Sequence, residues 1–238
     1  MGTLAIDIET ASPDEEPAYD EFDNTDYFEL VAVALGYRVD DSSSVESAVL
    51  FRDGGWEEEH TADLLERVAE WLGRREISEV LTYNGAGFDF IHLRNWAEET
   101  DDLGLTDGVS ECFRSLDSQQ IDLAVPSADY HTDLSFEAVC EARNISVTET
   151  EYEDYEIDSE FFHDLGIDED ELKGKHVGTY LGEEYVTGVT RGLEEVPLYQ
   201  ELKNMLLDYA EEDAIRLFDL YDSFNESDCK RVSSQSQQ

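Results

Sequence analysis

Basic residues are scarce in this chain. Its 238 residues hold 15 Lys and Arg against 60 Asp and Glu, and only four are lysines: Lys173, Lys175, Lys203 and Lys230. No basic stripe is present, so electrostatic capture of a polyanion is not written into the composition. Cysteine is as sparse. Cys112, Cys140 and Cys229 are odd in number, widely spaced and form no Cys-x-x-Cys, which argues against a disulfide framework or a zinc site and for reduced thiols in the cytoplasm. No apolar run approaches the ~18 residues that a membrane span needs, and the N-terminus lacks a basic-then-apolar signal pattern. The expectation is a soluble, cytoplasmic protein with no membrane partner.

Against these absences, 40% of the residues are hydrophobic and 11% aromatic, enough for a packed core despite a formal charge of −45. A chain of this length is expected to bury roughly 70% of its unfolded surface as one domain. We place that domain at residues 1–225, with an acidic insertion of weak periodicity at 148–196 and a disordered polar tail at 226–238. In dilute salt so much negative charge repels both itself and nucleic acid. At about 1 M salt the Debye length is only about 3 Å, and the repulsion becomes short-ranged. Acids are spread along every segment instead of forming one tail, which resembles proteins of salt-accumulating halophilic archaea or their viruses. The same charge also suits an acidic mimic or the partner of a basic protein.

The hydrophobic pattern organises the chain. Leu4 to Thr10 reads as a strand, followed by an acidic loop over 11–26. Phe28 to Tyr37 and Ala48 to Arg52 read as two more strands. Leu64, Leu65, Val68, Trp71 and Leu72 fall at helical spacing, with Thr61 as the expected N-cap. Val80 to Tyr83 predicts a fourth strand, Phe88 to Glu99 a helix, and Ile121 to Val125 a fifth strand closed by Pro126. Ser135 to Arg143 predicts a short helix and Leu198 to Phe224 a long one. Within the insertion, Asp168 to Leu172 is expected as a helical turn and Tyr185 to Thr190 as a short strand. Three strands, then helix, strand, helix, strand, fit an α/β fold: a mixed five-stranded sheet flanked by helices, the order of a ribonuclease H-like core.

Three stretches carry chemistry. On the first strand Asp7 and Glu9 share one face and Ile6 and Ile8 the other, so one face packs while the other holds paired negative charge. Like charges so placed call for a cation or for exposure at an edge. Asn84-Gly85-Ala86-Gly87-Phe88-Asp89 puts an acid at the start of a helix directly after a strand, where the exposed amides favour it, with glycines that let another backbone approach. Tyr209 and Asp213, four apart, share one face of the last helix. An acid among leucines there needs a partner. Asp-x-Glu and Tyr-x-x-x-Asp each recur elsewhere, at Asp14/Glu16 and Tyr19/Asp23 for example, so context selects these copies.

Together, in this order, the three stretches resemble the motifs of the DEDD (DnaQ-like) family of 3′-to-5′ exonucleases, over residues 3–224 apart from the insertion. Tyrosine four before the last aspartate, with Asp208 rather than histidine five before it, is similar to the tyrosine subclass, found in exonuclease domains of B-family DNA polymerases. The resemblance implies two Mg2+ or Mn2+ ions about 4 Å apart held by Asp7, Glu9, Asp89 and Asp213, acting on a phosphodiester at the 3′ end of single-stranded DNA or RNA, DNA favoured. It implies that Tyr209 orients the attacking water and that Asn84 and Phe88 hold the terminal nucleotide or support Asp89. Asp122 matches a position near the site with either a chemical or a supporting role. No polymerase region is present, so a polymerase or other replication or repair protein is a candidate partner. His92, one turn beyond Asp89, reads as packing in preference to a ligand, and Trp96 and Tyr130 as rim or core in preference to base-stacking platforms. The rival readings are a catalytically inactive nucleic-acid-binding protein and an acidic interaction protein. The sequence is silent on oligomeric state.

Overall fold

The computed structural model describes residues 1–18, 20–40, 42–128 and 135–224. Tyr130, Cys229 and the expected disordered tail lie outside the described residues. Five strands form one open mixed sheet in the order β3-β2-β1-β4-β5. They are β1 (Gly2–Ala11), β2 (Glu29–Val39), β3 (Val45–Phe51), β4 (Ile77–Thr82) and β5 (Gln120–Asp122). β1 pairs antiparallel with β2 and parallel with β4; β2–β3 is antiparallel and β4–β5 parallel. The nine α-helices among the described residues are α1 (Glu58–Leu72), α2 (Asp89–Asp102), α3 (Val109–Asp117), α4 (Ala124–Ala128), α5 (Phe136–Ala142), α6 (Ser159–Asp164), α7 (Gly174–His176), α8 (Gly182–Thr190) and α9 (Pro197–Ser223).

Period-two alternation on β1 separates two layers. Leu4, Ile6 and Ile8 enter a core with Leu64, Leu65 and Val68 of α1, Phe90 and Leu93 of α2, and Phe113 of α3. The opposite face receives α9. It can lie close because the contact is made of small side chains: Ala34 of β2 meets Ala210 and Ala214. Asp7 and Glu9 stand opposite Ala34 and Ala32 in the β1–β2 register. That register slips between Glu9 and Thr10, where Val31 becomes an extra residue on β2, a bulge that bends the strand beside the two acids.

Several expectations are corrected. Thr61 lies inside α1, whose N-cap is Glu57; its hydroxyl instead accepts from the buried Arg52 guanidinium at 2.9 Å. β5 ends at Asp122, and Pro126 sits within α4, in whose first turn an N–H is not required. The segment 103–119, unassigned from sequence, contains α3. Asp168 to Leu172 forms no helical turn; Glu171 instead bridges Glu151. Tyr185 to Thr190 is helical, part of a continuous helical run in which α7 passes through a π-helical turn, Val177–Leu181, into α8. Its β-branched residues pack as helix because Val177, Leu181, Tyr185 and Val186 join Ala11, Val31 and Phe51 of the sheet and Leu202 and Leu206 of α9 in one core cluster. The acidic insertion is therefore built onto the sheet. No described helix is long and apolar enough to cross a membrane.

Candidate metal centre

α9 crosses the sheet where its alanines permit, and so sets Tyr209 and Asp213 over the acidic half of β1. Asp7, Glu9 and Asp213 each offer a carboxylate oxygen, and these lie within 4.8 Å of one another. Glu9 is buried; Asp7 and Asp213 keep partial exposure. Burial, and then the charges of Asp89, Glu9 and Asp213, hold the Asp7 carboxyl well above the usual range. Glu9 is raised by burial, then by Asp213 and Asp89. Asp213 is pushed up to about 7, chiefly by burial and then by Glu137, while the Tyr209 hydroxyl, donating toward it, offsets part of the rise. Acids so placed take up protons unless a cation replaces them. Hard oxygen donors, converging and partly desolvated, fit Mg2+ or Mn2+.

Asp89 stands beside this cluster, outside the three-oxygen group. Pairing between β1 and β4 ends at Ala5–Leu81. Beyond that divergence the Ile8 N–H donates to Asp89 Oδ1 at 3.2 Å. Asp89 is 4% exposed and also raised to about 7, by burial first, with its backbone hydrogen bonds opposing. Its charge nevertheless reaches Asp7 and Glu9.

The loop before α2 is organised by Asp122. Its Oδ1 accepts from the Asn84 and Ala124 N–H groups at 2.8 and 3.0 Å, and its Oδ2 from Ala86 N–H at 3.2 Å. Those bonds give Asp122 a supporting role. Asn84 adopts φ +60°, a left-handed conformation that asparagine tolerates. The glycines here serve the loop itself: a Cβ at Gly85 would lie 2.5 Å from Thr82, and one at Gly87 2.7 Å from the Asn84 side chain. Asn84 is exposed and Phe88 partly buried, and both line a groove of about 480 Å³ that reaches Glu9.

Tyr209 is largely enclosed, and burial followed by Asp213, Glu9 and Asp7 holds its phenol well above the ordinary value. It therefore stays protonated and acts as a hydrogen-bond donor, not as a base. His92 is fully buried: Nε2 donates to the Phe22 carbonyl at 3.0 Å and Nδ1 accepts from the Thr25 hydroxyl at 2.8 Å. It is a loop anchor. Trp96 packs in the core beside it.

Two groups near the site escaped the sequence reading. Glu137, on the first turn of α5, shares a groove with Tyr209 and Asp213. Phe22, in the acidic loop, is 47% exposed yet packs against Phe28 and Phe88 at the groove by Glu9. An aromatic in a mostly acidic loop, a feature it shares with Tyr19, was the available signal for Phe22; for Glu137, one of 60 acids, there was none. Among known proteins, no family model matches the chain and no curated protein matches it.

Proposed function

We propose that the protein is a metal-dependent 3′-to-5′ exonuclease on a ribonuclease H-like fold, acting on single-stranded nucleic acid, with DNA favoured over RNA. The observation that carries the reading is the convergence of Asp7, Glu9 and Asp213 oxygens within 4.8 Å, with a protonated Tyr209 one helical turn from Asp213. The strand order β3-β2-β1-β4-β5, with β1 central and carrying two of the acids, supports the fold assignment.

In this reading Asp7, Glu9 and Asp213 would hold the ions, with Asp89 completing the negative field while bonded to the Ile8 amide. Bound divalent ions would supply a polarised phosphate, an activated water and stabilisation of the departing 3′ oxygen. Tyr209, whose single hydroxyl hydrogen points toward Asp213 in the metal-free site, would turn it to orient the attacking water once the ions hold Asp213. Phe22, Phe28 and Phe88 present apolar ring surface to a terminal base in the groove, and Asn84 lies exposed at its edge. Stacking tolerates salt, which suits a chain whose net charge opposes phosphate.

The test is hydrolysis of a 5′-labelled single-stranded DNA and its RNA equivalent with Mn2+ in about 2 M KCl, where surface charge is screened. A ladder shortening from the 3′ end, lost in Asp7→Ala and Asp213→Ala, is the expected result. Absence of product from folded wild-type protein across metals and salts would sink the proposal.

A further inference from the structure

We infer that Lys173 and Lys175 are the phosphate-contacting residues of this site, Lys175 in the groove that reaches Glu9 and Lys173 in the groove that reaches Tyr209 and Asp213. The inference rests on the nuclease reading and assigns to the acidic insertion the task of presenting these two cations.

The placement is specific. Two of the chain's four lysines are separated by a single glycine, and a Cβ on that Gly174 would lie 3.4 Å from the Tyr209 hydroxyl. The Lys-Gly-Lys segment thus comes within van der Waals reach of the Tyr209 hydroxyl. Lys175 lines the groove of about 480 Å³ with Glu9, Asn84 and Phe88. Lys173 lines a groove of about 650 Å³ with Tyr209, Glu212 and Asp213. Among the described residues lining these two grooves, there is no other lysine or arginine.

The backbone that carries the lysines is held by hydrogen bonds, while their ammonium groups reach solvent and are tied only by exposed ion pairs. His176 is 2% exposed; its Nδ1 accepts from the Tyr152 hydroxyl at 2.7 Å and from the Lys173 N–H at 3.3 Å. The Ser12 N–H donates to the Gly178 carbonyl at 3.0 Å, tying the following turn to the end of β1. By contrast the side chains are 43% and 61% exposed, with Lys173 paired to Glu171 at 2.8 Å and Lys175 paired to Glu169. In a chain with 60 acids an acidic neighbour is unremarkable for any lysine. Exposed pairs of this kind hold weakly, so an incoming phosphate can displace the carboxylate. A phosphodiester entering a site of at least three carboxylates needs such cations in addition to the ions, and these two lysines are in position to supply them.

The experiment is equilibrium binding of a fluorescent oligodeoxythymidylate to the full chain, with Ca2+ replacing the catalytic metal, across a KCl series. Each phosphate contact on a single strand contributes about 0.7 to the slope of log K against log salt. Lys173→Gln and Lys175→Gln are each expected to flatten the slope by about 0.7, and the double variant by about 1.4, while Lys→Arg at either position keeps it. Lys203→Gln, whose ammonium lies over the Phe51 ring and lines neither groove, is the control and is expected to leave the slope unchanged. Equal melting temperatures establish that the variants fold. Binding that persists with unaltered slope in the double variant overturns the lysine assignment and leaves the nuclease reading intact. No binding by wild type at any salt overturns both.

Discussion

The backbone N–H of Ile8 donates to Oδ1 of Asp89 at 3.2 Å, bonding the strand that carries Asp7 and Glu9 to the first residue of α2. One oxygen of a buried acid thus does the work that a ladder bond would do had β4 continued alongside β1. Asparagine keeps an acceptor at that place. Asp89→Asn is therefore expected to melt close to wild type while losing about 10- to 100-fold in metal affinity or activity, as for groups that support a metal set from just outside it. Asp89→Ala also leaves the amide without a partner and is expected to cost a further ~1–3 kcal/mol of stability. Denaturant unfolding and Mn2+ titration of the two variants separate these effects. Equal stability of both would show that the Ile8 bond contributes nothing.

In the metal-free protein, stability should depend on pH with a definite sign. Asp89 and Asp213 are raised to about 7 and Asp7 and Glu9 are raised as well, so the folded chain holds protons that the unfolded chain releases above about pH 4. Where the folded state binds more protons, stability falls as pH rises. The window runs from about pH 4, the unfolded value, to about pH 7. We expect the melting temperature in chelator and high KCl to drop between pH 5 and pH 8, and Mn2+ to remove much of that drop. The combined Asp7→Asn, Asp213→Asn variant should show a flatter profile; a slope as steep as wild type would assign the pH dependence to the general surface charge.

The parts of this site that could be read from sequence are those encoded by local periodicity. Alternation of Leu4, Ile6 and Ile8 with Asp7 and Glu9 declared a strand with its acids on one face, though α9 covers that face too and leaves only Asp7 partly exposed, and the four-residue step from Tyr209 to Asp213 declared one helical face. What stayed hidden depends on distant partners. Tyr185 to Thr190 has the residue types of a strand, and becomes helix because its apolar side is buried against Ala11, Val31 and Phe51. Thr61 has the chemistry of an N-cap but is claimed by Arg52, nine residues earlier. Phe22 is directed to the groove by His92, 70 residues away.

Phe22 gives a prediction of its own. Its exposed ring lies against Phe88, and the loop beneath it is held by the neutral His92, whose imidazole burial pushes below its ordinary pKa. Stacking on a base contributes about 1–3 kcal/mol, so Phe22→Ala should raise KM by about 5- to 150-fold with little change in kcat. Phe22→Trp should retain the wild-type value. On a substrate whose 3′ nucleotide lacks a base, wild type and Phe22→Ala should perform alike. An equal penalty on both substrates would reject the stacking role.

Gly182 links the insertion to the site and tests whether the two act as a unit. A Cβ there would meet the Val177 carbonyl at 3.0 Å, the Val31 side chain at 3.1 Å and Ala11 at 3.2 Å. Two of those neighbours are the bulge residue beside Glu9 and the last residue of β1, and none is the end of a long flexible side chain. Gly182→Ala must therefore either spread α8 from the sheet or shift the π-helical turn that follows Lys175. Overpacking of this kind typically costs about 1–3 kcal/mol. If the turn yields, Lys175 moves relative to Glu9, and KM should rise by more than Thr187→Ala raises it. Thr187 lies on the same helix but does not line either groove. Comparing melting temperature and KM for the two variants distinguishes a wall that positions substrate from one that only covers the sheet. A stability loss in Gly182→Ala with unchanged KM would assign the insertion a purely structural part.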